Sequence, residues 1–177
     1  ARSSFTKPFE QLLFEVEFIE LPNAANISTL KERLNTVAVE VAAFIFEPLV
    51  QGAGGMNMYE AKYLDELMIY CKEKGILTIA DEVMTGFGRT GKLFASGHLN
   101  EQPDVMCFSK GITGGTMALG LTTCISKIYD AFLSEDKLKT LFHGHSFTAN
   151  PVACSAALAS LDLLLRHRVD PGSARKR

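Results

Sequence analysis

GILTIADEVMTGFGRTGKLFASGHLNEQPDVMCFSKGITGG, residues 75–115, holds two short apolar runs set among glycines, and each run delivers one charged side chain. The first run, Ile76 to Ala80, ends at Asp81; the second, Val105 to Phe108, ends two residues short of Lys110. Short continuous apolar runs are the mark of strands buried in a parallel sheet, and open α/β sheets take ligands where such strands terminate. An acid and an amine at neighbouring strand ends are a candidate site.

Upstream of this stretch, Glu60 to Lys74 reads as an amphipathic helix, with Tyr63, Leu64, Leu67, Met68 and Cys71 on one face and Lys62, Asp65, Glu66 and Lys72 facing elsewhere. Gly75 stops it. Before that helix, Val41 to Phe46 predicts another strand, ending at Glu47-Pro48 and followed by the glycine-rich loop QGAGG at 51–55. Glu47 is thus a third charge at a strand end. Thr29-Leu30-Lys31-Glu32 has the form of a capping box, with Leu30, Leu34, Val37 and Val41 following at helical spacing. The alternation of Phe14, Val16 and Phe18 predicts a half-exposed strand within Leu12 to Ile19.

Downstream, Leu119 to Ile125 reads as a strand and Lys127 to Leu138 as a helix. After the polar turn HGHSFTAN at 143–150, Asn150 and Pro151 supply a cap and a first helical residue for an alanine-rich helix running to Leu165. The order of strand, helix, strand, connection and strand predicts an α/β fold with a central, mostly parallel sheet and helices on both faces. Residues 1–165 form one unit in this reading, and the polar, basic tail 166–177 is expected to be disordered or non-native.

A chain of 177 residues that is 47% hydrophobic suits one domain with its own core. A net charge of −2 and a pI near 6.1 give no general electrostatic reason to expect nucleic acid or an anionic membrane as partner. Uninterrupted apolar stretches fall short of the roughly 18 residues of a membrane span. The four cysteines, Cys71, Cys107, Cys124 and Cys154, lie far apart without a CxxC pair or a nearby histidine at ligand spacing. They read as reduced, buried apolar side chains rather than metal ligands, which implies a cytoplasmic protein or one in an equally reducing organelle matrix.

A lysine at a partly buried strand end can lose its proton and form a Schiff base, and an aspartate facing a pyridine nitrogen can keep that nitrogen protonated. Together the two suggest pyridoxal phosphate. A structural salt bridge between them is the competing reading, and spacing does not choose.

The surrounding words are more specific. ADEVMTGFGRTGKLFA at 80–95, SKGITGG at 109–115 and EPLVQGAGGM at 47–56 closely resemble the class III aminotransferases, which are fold-type I pyridoxal-phosphate enzymes. Within that family the words look most like the branch serving biotin synthesis, and the resemblance spans Ala1 to Leu165. It implies the large, cofactor-binding domain of a transaminase. Lys110 would hold pyridoxal 5'-phosphate covalently and then move a proton; Asp81 would pair with the pyridine nitrogen, Val83 would pack on the ring, and Glu47 would lie near the lysine. Arg89 would serve the substrate pocket. Ser146 would offer its hydroxyl to the cofactor phosphate of a second subunit, so that a homodimer shares its active sites. His143 and His145 carry weaker expectations.

The same resemblance implies small-molecule partners: a donor amine, S-adenosylmethionine or lysine, and the keto acid 8-amino-7-oxononanoate as acceptor. An ω-amino acid:pyruvate or 4-aminobutyrate aminotransferase would share Lys110 and Asp81. Two departures stand out: Met84 occupies a position where many members carry glutamine, and His145-Ser146 replaces a common Pro-Thr. Enzymes of this family are more than twice as long. The glycine-serine phosphate loop, the ring-stacking aromatic residue and a carboxylate-binding arginine are therefore expected to lie outside this sequence, and a chain with this extent alone is expected to be inactive.

Overall fold

The computed structural model describes residues 7–166. In chain order its elements are α1 (Ile27–Val37), β1 (Ala43–Phe46), β2 (Val50–Gln51), β3 (Asn57–Met58), α2 (Ala61–Glu73), β4 (Leu77–Asp81), β5 (Val105–Phe108), β6 (Leu121–Cys124), α3 (Ser126–Asp130) and α4 (Pro151–Arg166). The two apolar runs of the 75–115 stretch are β4 and β5, adjacent and parallel.

The main sheet has the order β1-β4-β5-β6. Phe46 lies opposite Ala80 and Asp81 opposite Cys107 in its two parallel pairs, while Phe108 lies opposite Leu121 in the antiparallel pair that adds β6 at the edge. A mixed, mostly parallel α/β sheet is the expected class. Because β1, β4 and β5 run the same way, Asp81 at the end of β4 and Glu47 and Lys110 just past β1 and β5 all stand at one end of the sheet.

Strand alternation decides which side chains face the helices. Thr78 and Ala80 are fully buried, and Ala80 packs with Phe46, Leu64 and Met68 under α2. Leu30 and Leu34 of α1 join Leu67 and Cys71 of α2 in a second cluster. Each fully buried leucine contributes about 1.5–3 kcal/mol relative to exposure. Leu77, Ile79 and Asp81 point to the opposite face and are half-buried, and Ile45 there is 61% exposed.

Gly75 ends α2 at φ +75°, and nothing lies within 4 Å of where its Cβ would sit, so the position selects glycine by conformation alone. Asn150 caps α4 as its sequence predicts: Oδ1 accepts from the Val152 and Ala153 amides at 3.0 and 3.1 Å. That helix packs on the turn that carries Lys110.

Other expectations require correction. Residues 13–20 form no strand, and Phe14 and Phe18 are exposed, so alternation alone does not make a sheet. Helix α1 starts at Ile27, before the Thr29 box, and Asn26 at its start makes no side-chain cap, since its Oδ1 accepts from the Asn23 amide at 2.8 Å instead. The QGAGG loop turns a short hairpin, β2 with β3. The helix expected over 127–138 shrinks to α3, and a separate 3-10 turn follows at Lys137–Lys139. Asp65 is buried rather than outward: its carboxylate accepts from the Asn100 amide and side chain and from the Glu101 amide. Of the four free cysteines only Cys71 is buried; Cys124 is exposed.

The tail beyond Arg166 lies outside the described residues. Among the described residues no helix is long and apolar enough to cross a membrane.

Candidate active site

The site grows from the end of β4. Asp81 Oδ1 accepts from the Val83 amide at 3.0 Å, a local turn that leaves Oδ2 without a hydrogen-bond partner among the described residues. Alternation then sends Glu82 to the opposite, covered face, where it is fully buried. Its Oε1 accepts from the Ser96 amide at 2.6 Å, and its Oε2 accepts from the Thr85 hydroxyl and the Ala95 amide at 2.7 and 3.0 Å. Glu82 therefore ties together both ends of the glycine-rich loop 85–96. A buried carboxylate needs such donors.

The loop folds over an aromatic cluster. Phe87 and Phe94 meet edge to face at 5.6 Å, and Phe94 lies 4.8 Å from Phe108 at the end of β5. Phe87 also presses on Gly111, where an added Cβ would come within 3.1 Å of the Phe87 Cβ.

Lys110 begins a single 3-10 turn and has φ +45°, a left-handed conformation that costs a non-glycine residue about 1–3 kcal/mol. Ser109 fixes the approach by donating its hydroxyl to the Leu119 carbonyl at 2.7 Å. The Lys110 side chain is exposed, and its amine makes no hydrogen bond or ion pair among the described residues. Lys92, the other lysine of the stretch, is engaged: its amine donates to the Gly97 carbonyl at 2.6 Å.

The competing reading of Asp81 and Lys110 as a structural salt bridge fails, because no ion pair joins them. Two unpaired groups of opposite charge follow neighbouring strand ends. Strain and unmet charge at one place are a signature of function, in the direction from observation to hypothesis.

A cleft of about 920 Å³ is lined by Val83, Met84, Arg89 and Lys110 and, from α4, by Ser160 and Leu163; Asp81 and Glu47 are not among its lining residues. Arg89 is exposed and has no ion pair among the described residues, so its guanidinium is available to an anionic group.

Glu47 belongs to the neighbouring hairpin's contacts. Its Oε2 accepts from the Gly52 amide at 2.8 Å, and its backbone carbonyl accepts from the Tyr59 hydroxyl at 2.6 Å. Burial raises the Tyr59 pKa well above the ordinary tyrosine value; a backbone contact with Leu49 opposes the shift and the Glu47 charge adds to it. A Cβ on Gly52 would sit 2.6 Å from the Met84 sulfur and 3.2 Å from Glu47 Oε2, so the hairpin packs directly on a residue of the cleft.

Ser146 lies elsewhere. It belongs to an exposed turn held by a 2.9 Å bond from the His145 amide to the Thr148 hydroxyl, and it does not line the cleft. His143 and His145 are outside the cleft too, and among the described residues no group of three His, Cys, Asp or Glu side chains could hold a metal ion.

Two buried carboxylates, Glu82 and Asp65, have partners that no sequence motif marks. The alternation Thr78, Ala80, Glu82 carried the signal for the first, since it continues the buried face past the strand end.

The family model described as Aminotransferase class-III matches residues 3–177. The adenosylmethionine-8-amino-7-oxononanoate aminotransferase of Synechococcus elongatus is 49% identical over 176 residues, which cover 93% of this chain and 41% of that protein. Its namesake in Staphylococcus aureus is 39% identical, covering 94% and 40%. The crystal structure of the Methanocaldococcus jannaschii protein with the same name superposes with a TM-score of 0.84 at 37% identity, covering 92% of this chain and 39% of that one. An (S)-enantioselective omega-transaminase from Thermomicrobium roseum gives 0.75 at 40% identity, covering 82% and 32%. The chain thus spans about two fifths of the curated relatives it matches.

Proposed function

This chain belongs to the class-III aminotransferases, and on that premise we propose that the whole protein transfers an amino group to 8-amino-7-oxononanoate, giving 7,8-diaminononanoate in biotin synthesis, with pyridoxal 5'-phosphate as cofactor and S-adenosylmethionine as donor. The carrying observation is the unpaired Lys110 amine in the cleft, with Asp81, whose Oδ2 has no hydrogen-bond partner among the described residues, at the end of the adjacent parallel strand. The relatives of that name at 39–49% identity support the choice of acceptor.

The residues present fit this cofactor. Lys110 offers a free amine to an aldehyde, Asp81 a free oxygen to a protonated ring nitrogen, and Val83 an apolar wall for a ring face. When bound, the cofactor supplies an electron sink for the carbon that gains or loses the amino group. Lys110 then carries the proton to and from that carbon, because its strained turn aims an otherwise unpaired amine at the cleft. Asp81 holds a proton on the ring nitrogen, with the Val83 amide fixing its carboxylate. Arg89 binds the anionic end of donor or acceptor. Glu47 acts near the lysine through Met84 and the hairpin.

We place Ser146 at the phosphate of a partner subunit in a two-fold dimer. Phe142 and Phe147 around it are 77% and 74% exposed, as suits residues that a second copy covers. A reducing compartment such as the cytoplasm suits four free thiols. The 177-residue chain by itself lacks the rest of such a pocket and would not turn over.

A second reading, an ω-amino acid:pyruvate or 4-aminobutyrate aminotransferase, is favoured by the likeness to the Thermomicrobium roseum structure. Product formation from 8-amino-7-oxononanoate, pyruvate and 4-aminobutyrate in parallel assays separates the two. Turnover with pyruvate and none with 8-amino-7-oxononanoate would overturn the first. Mixed Lys110→Ala and Ser146→Ala subunits regaining activity would support shared sites.

A further inference from the structure

We propose that Glu82, which none of the roles above uses, is a positioning residue: through the loop 85–96 it sets the place of the cleft wall and of the Lys110 turn. The inference rests on the reading of Lys110 as the cofactor-binding lysine. Glu82 is fully buried, and it gathers donors from both ends of the loop, Thr85 on one side and Ala95 and Ser96 on the other. Its backbone is fixed as well, the amide donating to the Cys107 carbonyl of β5 and the carbonyl accepting from Gly86, both at 2.9 Å. The loop so closed carries Phe87, Gly88 and Arg89 into the cleft wall.

Phe87 transmits that placement. It sits at φ +56°, meets Phe94 and Phe108, and fills the space above Gly111, the residue next to Lys110. Two left-handed residues, Phe87 and Lys110, thus meet across one glycine. Neither conformation is favourable by itself, so each needs the packing of the other side to persist. Removing the anchor under the loop releases both.

The test uses the whole protein loaded with pyridoxal phosphate. In Glu82→Gln the amide nitrogen must face either the Ser96 amide or the pair Thr85 and Ala95, placing donor against donor. The expected result is kcat/KM lowered at least about tenfold at temperatures where the variant is folded, with a shifted pH midpoint for the absorbance of the lysine-linked cofactor. Asp65→Asn is the control for plain destabilisation, since Asp65 clamps residues 100–101 away from the cleft; it should lower Tm and leave the midpoint and kcat/KM unchanged. Should Glu82→Gln not fold, Thr85→Val removes one donor and should give the same changes at about threefold. A Tm loss with unchanged midpoint and kinetics, in Glu82→Gln or in a Thr85→Val that stands in for it, overturns the inference. Failure of borohydride to fix cofactor on wild-type Lys110 would instead overturn the functional reading, and this inference with it.

Discussion

Gly52→Ala joins the hairpin to the cleft in one substitution. The backbone of Gly52 is outside the left-handed region, so alanine meets no conformational penalty there. Its Cβ would lie 2.6 Å from the Met84 sulfur and 3.3 Å from the Met84 methyl. Ordinary contact needs about 3.5–4 Å, so the thioether must retreat by about 1 Å. Methionine is flexible, which keeps the stability cost near about 1 kcal/mol, the low end for overpacking. Glu47 yields little, because its carboxylate holds the Gly52 amide at 2.8 Å. Met84 therefore moves within the cleft wall, and a loss of about 1 kcal/mol in acceptor binding raises KM about fivefold. Steady-state kinetics on the whole protein, with Tm from thermal melting, read both quantities. Adding Met84→Ala should recover the KM, giving a non-additive cycle. A lowered Tm with unchanged KM, or strictly additive effects, would refute the claim that the hairpin bears on the cleft through Met84.

Further perturbations address other parts of the fold. Asn150→Ala removes the acceptor of two α4 amides and should lower stability by about 1 kcal/mol in denaturant titration, with Asn150→Asp restoring most of it. Tyr59→Phe strands the Glu47 carbonyl and should cost about 0.5–1.5 kcal/mol in the same assay. Burial raises the Cys71 pKa from 9.0 to about 11, so the unfolded chain releases that proton first and stability should fall as pH climbs through this window, a loss that Cys71→Ala removes from the pH-stability curve. The same thiol should resist alkylation until global unfolding, as mass spectrometry of labelled peptides would record.

The sequence made β4 and β5 legible because each is an unbroken apolar run closed by a charge, and α2 and α4 legible because each has a periodic face and a defined end. Local pattern misled where a partner decides the outcome. Phe14, Val16 and Phe18 alternate, yet residues 13–20 are not a strand. The Thr29 box has the right letters, yet α1 had already begun at Ile27. Asp65 looked solvated on its helix because the turn at 100–101 that it bonds is 35 residues away.

Asp81 and Lys110 are legible as charges at or just past strand ends, whereas the expectations for Val83 and Arg89 come from the family resemblance; Val83, Arg89 and Lys110 line the cleft. Glu82 is not legible, although it sits next to Asp81, because its partners come from a loop whose return at Ala95 and Ser96 no short motif announces. Ser146 shows the converse: the words around it suggest a phosphate contact, and within one chain it stands away from the cleft.

The most direct measurement is borohydride reduction of the pyridoxal-phosphate-loaded whole protein, followed by peptide mapping. The label should fall on the peptide containing Lys110 and vanish in Lys110→Ala. Label on Lys92 or Lys127, or label undiminished in Lys110→Ala, would contradict the account.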